Sequence, residues 1–183
     1  MRRLVLATQT RRIVLPILGA VALLILAAQP ALAAINTTFN PAAAPTGTHV
    51  QTGSPSCSVS GLTVNCSTYE LAGVGNANAT GSLVANYTGT VVCRNAGGNL
   101  SDGQHQGTFT ASSTTGSLSP KNGRLTVPAL SSTPPTPAQF IAQQTCPNPN
   151  WTPELQGPIT LSSFTYTLHF AGFTGNFITI TGP

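Results

Sequence analysis

Charge is what this chain has least of: in 183 residues there are seven Lys or Arg and three Asp or Glu. Four of the basic residues, Arg2, Arg3, Arg11 and Arg12, stand at the very start of the chain. What remains, Arg94, Lys121 and Arg124 against Glu70, Asp102 and Glu154, balances to zero. A neutral body without a basic cluster lacks the electrostatic footprint of a nucleic-acid-binding protein and of a polybasic membrane patch. Lys, Glu and Met are nearly missing from that body, and with them the material of solvent-facing helices. Ser, Thr, Gly, Pro, Asn, Val and Ile take their place, which favours strands and turns.

Catalytic patterns are equally thin. Glycoside hydrolysis needs two carboxylates flanking one bond, and the three acids of the body are scattered between a strand and two loops. A serine hydrolase needs a nucleophile, a histidine and an orienting acid. Of His49, His105 and His169, only His105 has an acid nearby, Asp102 in the loop "SDGQHQG". Such a pair is ordinarily solvated polar surface, and a small secreted hydrolase built on Asp102 and His105 is kept as the alternative reading. The histidines have no metal-ligand spacing. No GxSxG, HExxH or phosphate-binding glycine loop occurs, and "GVGN" and "NAGGN" read as turns. No metal or cofactor is expected.

The N-terminus is clear. After the arginines comes an apolar run from Ile13 to Ala28, then Ala31-Leu32-Ala33 with small residues where a signal peptidase reads. The run contains Pro16 and falls short of the roughly 20 residues needed to span a bilayer. Residues 1–33 therefore read as a cleaved signal peptide, leaving no membrane span in the mature form. Thr10-Arg11-Arg12-Ile13-Val14-Leu15 leaves twin-arginine and general secretory export both open.

About 150 residues follow, the length of one domain. Cys57, Cys66, Cys93 and Cys146 form an even set without a C-x-x-C spacing, which in an exported chain points to disulfides. Four cysteines allow three connectivities. The preferred one joins Cys57 to Cys66 across a hairpin-like "SVSGLTVN" and Cys93 to Cys146. Its rival, Cys66 with Cys93, would imitate an immunoglobulin inter-sheet bridge, but no tryptophan lies between them.

Residues 34–56 read as an extended N-terminal arm or first strand, and 57–183 as the disulfide-stabilised domain. Leu62, Val64 and Cys66 alternate with polar residues. Leu83, Ala85, Tyr87, Val91 and Cys93 share one face, which points Cys93 inward. Phe109 with Ala111, Leu125 with Val127 after the turn "SPKNG", and Ile178 with Ile180 mark further strands. Phe164, Tyr166, Leu168 and Phe170 are out of phase with Ile159 and Leu161, a slip that predicts a β-bulge around Ser162 and Ser163. Thr136-Pro137-Ala138-Gln139 has the form of a capping box and opens one short helix ended by Pro147. The fold class is all-β: an antiparallel two-sheet β-sandwich, immunoglobulin-like in general shape, of about seven strands with one short helix.

The segments "LAGVGN", "VVCRNAGGN", "KNGRLTVP" and "CPNPNWTPEL" occur in that order and mark a match that covers most of the mature chain. Their Cys-x-Asn-x-Gly-Gly and Cys-Pro-Asn-x-Asn-Trp runs resemble a group of small exported microbial proteins described only as hypothetical secreted proteins. The resemblance implies export and disulfides. It carries over no catalytic residue.

Two surface features bear on binding. Trp151, alone in a Pro/Asn loop, either packs over the Cys146 loop, the expected role, or offers a stacking platform to a ligand. The pairs Thr88/Thr90, Thr108/Thr110, Thr165/Thr167 and Thr179/Thr181 recur at no fixed period, as polar residues on the solvent side of a sheet do, and not as a periodic ice-binding array would. The expectation is a secreted or cell-surface module without catalytic activity, with a binding or structural role toward an extracellular ligand such as a cell-wall glycan. Near-zero charge adds self-assembly as a further possibility. Mass spectrometry of exported material is expected to find an N-terminus at Ala34 or within a residue or two of it. A membrane-retained full-length product would refute the leader reading.

Overall fold

The computed structural model describes residues 34–100 and 105–183; the expected signal peptide, 1–33, and Asp102 lie outside them. Eleven strands and one α-helix are present in the described residues: β1 (Asn36–Phe39), β2 (His49–Gly53), β3 (Cys57–Ser60), β4 (Thr63–Cys66), β5 (Tyr69–Ala72), β6 (Ala79–Arg94), β7 (His105–Leu118), β8 (Arg124–Val127), β9 (Leu130–Ser131), α1 (Pro137–Ala142), β10 (Thr152–Phe170) and β11 (Ile178–Gly182). All pairings between these strands are antiparallel. One sheet has the order β1-β11-β10-β6-β7, and two three-stranded sheets have the orders β2-β5-β8 and β3-β4-β9.

The spine is β6 against β10, in register from Thr152 opposite Arg94 to Phe170 opposite Ala79. Along β6 the odd positions Leu83, Ala85, Tyr87 and Val91 are fully buried, while the even ones from Thr80 to Thr90 stay partly exposed. That period of two is the signature of a sheet with one wet face. β10 keeps the same inner face only because it changes parity. Leu161 opposes Tyr87 and Ser163 opposes Asn86, so one extra residue sits at Ser162, as the phase slip predicts. A second irregularity, between Gln156 and Thr160, inserts further residues where the sequence reads Gly157-Pro158.

Both small sheets cover the inner face of the large one. Val64, Cys66, Tyr69, Leu71, Leu125, Val127 and Leu130 join Leu83, Tyr87, Phe164, Tyr166, Leu168 and Ile180 in one buried cluster. Two polar contacts cross between the layers. The Tyr69 and Tyr166 hydroxyls hydrogen-bond at 2.8 Å, and the Tyr87 hydroxyl donates to the Leu62 carbonyl at 3.1 Å and shares a hydrogen bond with the Ser132 hydroxyl at 3.0 Å. Large aromatic bodies thus fill the core while each phenol keeps a partner, the condition for burying tyrosine cheaply.

At the far end of the inner face α1 replaces a sheet. Thr136 and Gln139 form the reciprocal capping box, with Pro137 in the first turn. Its one buried residue, Phe140, lies over Gly89 and Gly107, which oppose each other across β6 and β7. A Cβ at Gly107 would come within 3.0 Å of the Phe140 ring, and one at Gly89 within 3.3 Å. The paired glycines are therefore a slot cut for one aromatic ring.

Both preferred disulfides are present. Cys57 and Cys66 are register partners in the β3–β4 hairpin, and Cys93, on β6, bonds Cys146 beyond α1. By loop length alone the Cys93–Cys146 bridge, 53 residues apart, stabilises the chain by about 4 kcal/mol and the Cys57–Cys66 bridge, 9 apart, by about 3 kcal/mol. The immunoglobulin-type pairing of Cys66 with Cys93 is absent. The segment 34–56 contains two strands, not one: β1 joins the large sheet and β2 a small one.

Burial pushes the Tyr69 phenol well above its usual range near 10, so it stays protonated in the folded state, and burial raises the Tyr166 phenol as well. Unfolding frees them to ionise, and above that pH the unfolded chain holds fewer protons than the folded one. Stability is therefore complete below about pH 10 and falls above it by up to about 1.4 kcal/mol per pH unit through Tyr69, with Tyr166 acting in the same direction. Chemical denaturation against pH checks this slope. Tyr69→Phe is expected to cost about 1–3 kcal/mol by stranding the Tyr166 hydroxyl, whereas the Tyr69→Phe/Tyr166→Phe double variant recovers most of that loss and removes the alkaline slope.

Candidate functional site

The outward face of the five-stranded sheet gathers the hydroxyl residues. Thr38, Thr179, Thr167, Ser82 and Thr114 are successive register partners across all five strands. The next row in the same direction reads Asn36, Thr181, Thr165, Val84 and Ser112. On three strands the rows continue as Ser163-Asn86-Thr110, Thr160-Thr88-Thr108 and Gln156-Thr90-Gln106. All of these side chains are partly or fully exposed, and Val84 is the one apolar member. Strand geometry spaces them about 4.8 Å across the sheet and about 6.8 Å along it. The four Thr-x-Thr pairs, aperiodic in sequence, thus share one surface. The local signal in each strand is plain; what assembles them is register between strands far apart in the chain, as in the bond from the Thr38 Oγ1 to the Thr179 carbonyl, 141 positions away.

Several of these groups hold one another in place. Asn86 accepts from the Thr110 Oγ1 at 2.9 Å and donates through Nδ2 to the Ser163 Oγ at 3.1 Å, bridging three strands. The Thr88 and Thr160 hydroxyls lie 3.1 Å apart, and the Ser162 Oγ at the bulge donates to the Asn86 carbonyl. Each Ser or Thr oxygen has one donor and two acceptor sites, so internal bonds fix rotamers while leaving hydrogen-bonding capacity toward solvent. No acid or base interrupts the central rows.

Charge appears only at the margins. His169, beside Thr80, ends one side, its Nδ1 donating to the Gly175 carbonyl at 2.7 Å. At the other end Arg94 grips Glu154 through both nitrogens of a fork, at 2.6 and 2.9 Å, and also reaches the Gly98 carbonyl. The hydrogen bond from Arg94 holds the Glu154 carboxyl below its ordinary range. A second ion pair, Arg124 with Glu70 at 2.6 Å, belongs to a small sheet. With Lys121 it lines a cleft of about 390 Å³. Glu70 and Glu154 are thus held by separate arginines in separate sheets.

Among the described residues no cluster of His, Cys, Asp or Glu has the makings of a metal site. His49 and His169 each bond a nearby carbonyl, while His105 begins β7 opposite Val91. The suggested partner of His105, Asp102, lies outside the described residues. Trp151 directly precedes β10, whose first residue, Thr152, opposes Arg94. It is partly exposed and lies outside the buried cluster that Tyr87 and Tyr166 belong to. No helix of the described residues is long and apolar enough to cross a membrane. No protein-family model, curated protein or solved structure matches the chain.

A ring that keeps part of its surface in water has less to lose on truncation than the roughly 3–5 kcal/mol typical of a buried aromatic. Trp151→Ala is expected to lower stability by about 1–2 kcal/mol, read by denaturant unfolding. Intrinsic fluorescence of the folded protein, whose one tryptophan is Trp151, should be quenched to an appreciable degree by a small neutral quencher. Complete protection together with a loss above 3 kcal/mol would make the residue a core member.

Proposed function

We propose that the protein is an exported, non-catalytic β-sandwich module whose outer sheet face binds a neutral, hydroxyl-bearing polymer outside the cytoplasmic membrane, a cell-wall glycan being the natural class. The observation that carries this reading is the set of cross-strand hydroxyl and amide rows, free of charge at their centre. Elimination supports the class. An ionic partner finds no counter-charge there, and an apolar one would strand the hydroxyls without partners. Sugar hydroxyls, which donate and accept at once, complement Ser, Thr, Asn and Gln side chains that do the same. Pre-set rotamers around Asn86 lower the ordering cost of binding. Two disulfides and the leader pattern fit an oxidising compartment. Trp151, partly exposed, directly precedes β10, and is the second candidate for a ligand contact.

Co-sedimentation with insoluble polysaccharides, including peptidoglycan, chitin and cellulose, tests the proposal. Binding should be little changed by salt, because no ion pair is made. Replacing exposed Thr165 by Glu should weaken it by about tenfold or more, equivalent to about 1.4 kcal/mol, with the melting temperature nearly unchanged. Retention by the Glu variant with loss on Trp151→Ala would move the site to the loop. Release of soluble sugar from the polymer would instead favour the hydrolase alternative.

A further inference from the structure

The five-stranded sheet ends on one side in β7, a 14-residue edge strand that pairs, among the described residues, only with β6. Natural edges are guarded by brevity, charge, proline or a covering element, since their free N–H and C=O groups template further pairing. From His105 to Leu118 there is no Lys, Arg, Asp, Glu or Pro. The Gln144 Nε2 donates to the Thr108 carbonyl at 2.9 Å, which shows that Thr108 turns its backbone away from β6. By alternation Thr110 and Ser112 turn theirs the same way. They precede the irregularity between Thr114 and Ser117, so this stretch of edge is regular and open.

We infer that β7 is a self-pairing edge, and that two copies of this chain join β7 to β7 in antiparallel fashion. The choice of occupant follows from length. The other sheet edges in the described residues are β1, β2, β3, β8 and β9, of two to five residues each. Only a second β7 offers a strand of equal reach. A two-fold axis normal to the sheet at Ser112 places Ser112 against its own copy and Thr110 against Thr114, so that the outward backbone groups of these three residues face one another, between the Gln144 contact at Thr108 and the irregularity after Thr114. The body carries no net charge to oppose the approach. Such a dimer is one ten-stranded sheet with the outer hydroxyl faces on the same side, and it stands or falls independently of what that face binds.

Sedimentation equilibrium of the protein over a wide concentration range should find a monomer–dimer equilibrium. Amide exchange in the wild-type protein should slow at Thr110 and Ser112 as the dimer fills. Ser112→Pro removes an outward N–H without touching the β6 ladder, and Ser112→Lys adds an edge charge with the backbone intact. Each should weaken dimerisation by at least about tenfold, and unchanged thermal unfolding of the Lys variant separates edge loss from misfolding. A monomer at every concentration, a dimer in which those two amides still exchange freely, or open-ended filaments growing through β1 would each overturn the inference.

Discussion

The ladder between β6 and β10 is the constraint from which both faces of the molecule follow. Because side chains alternate, one register decides at once that Leu83, Ala85 and Tyr87 meet Phe164 and Tyr166 in the core and that Ser82, Asn86 and Thr88 meet Thr167, Ser163 and Thr160 in water. A slip of one residue would exchange the two sets, burying a row of hydroxyls without partners. The bulge at Ser162 corrects the parity of β10 at one point. Without it Ile159 and Phe164 could not both lie inside.

The large sheet organises the rest. Its inner face is too long for one small sheet to cover, and three pieces share the work: β2-β5-β8, β3-β4-β9 and α1. Each is fixed to the sheet by a different device. Tyr69 meets Tyr166, Ser132 meets Tyr87, and Phe140 drops into the glycine slot. The Cys93–Cys146 bridge then ties the end of β6 to the chain leaving α1, so the least extensive of the three coverings has a covalent support.

Much of this architecture was legible in the amino-acid order, because it rests on local pattern. Apolar alternation marked β6, β8, β10 and β11; the phase slip marked the bulge; the Thr-Pro-Ala-Gln sequence marked α1. Cys57 and Cys66 were pairable because a hairpin of that length sets them face to face. What escaped was of two kinds. Short strands such as β2, β5 and β9 carry too few residues to establish a period, which is why about seven strands were expected and eleven are described. β7 hid its length because beyond Ala111 it has almost no apolar side chains, only Ser and Thr on both faces at a sheet margin. The hydroxyl rows are the second kind. Thr38 and Thr179 belong to one row through pairing alone, and no window along the chain contains that information.

The pairing of β1 with β11 has a mechanical side. Asn36 and Thr181 are register partners, so the two ends of the domain leave it side by side and in opposite chain sense. Tension applied between those ends would open the β1–β11 ladder one hydrogen bond at a time, like a zipper, instead of loading all of them together in shear. The domain is thus suited to hang from a single end and unsuited to serve as a link in a stretched series. By the same geometry it can be inserted into a loop of another protein without spreading that loop apart.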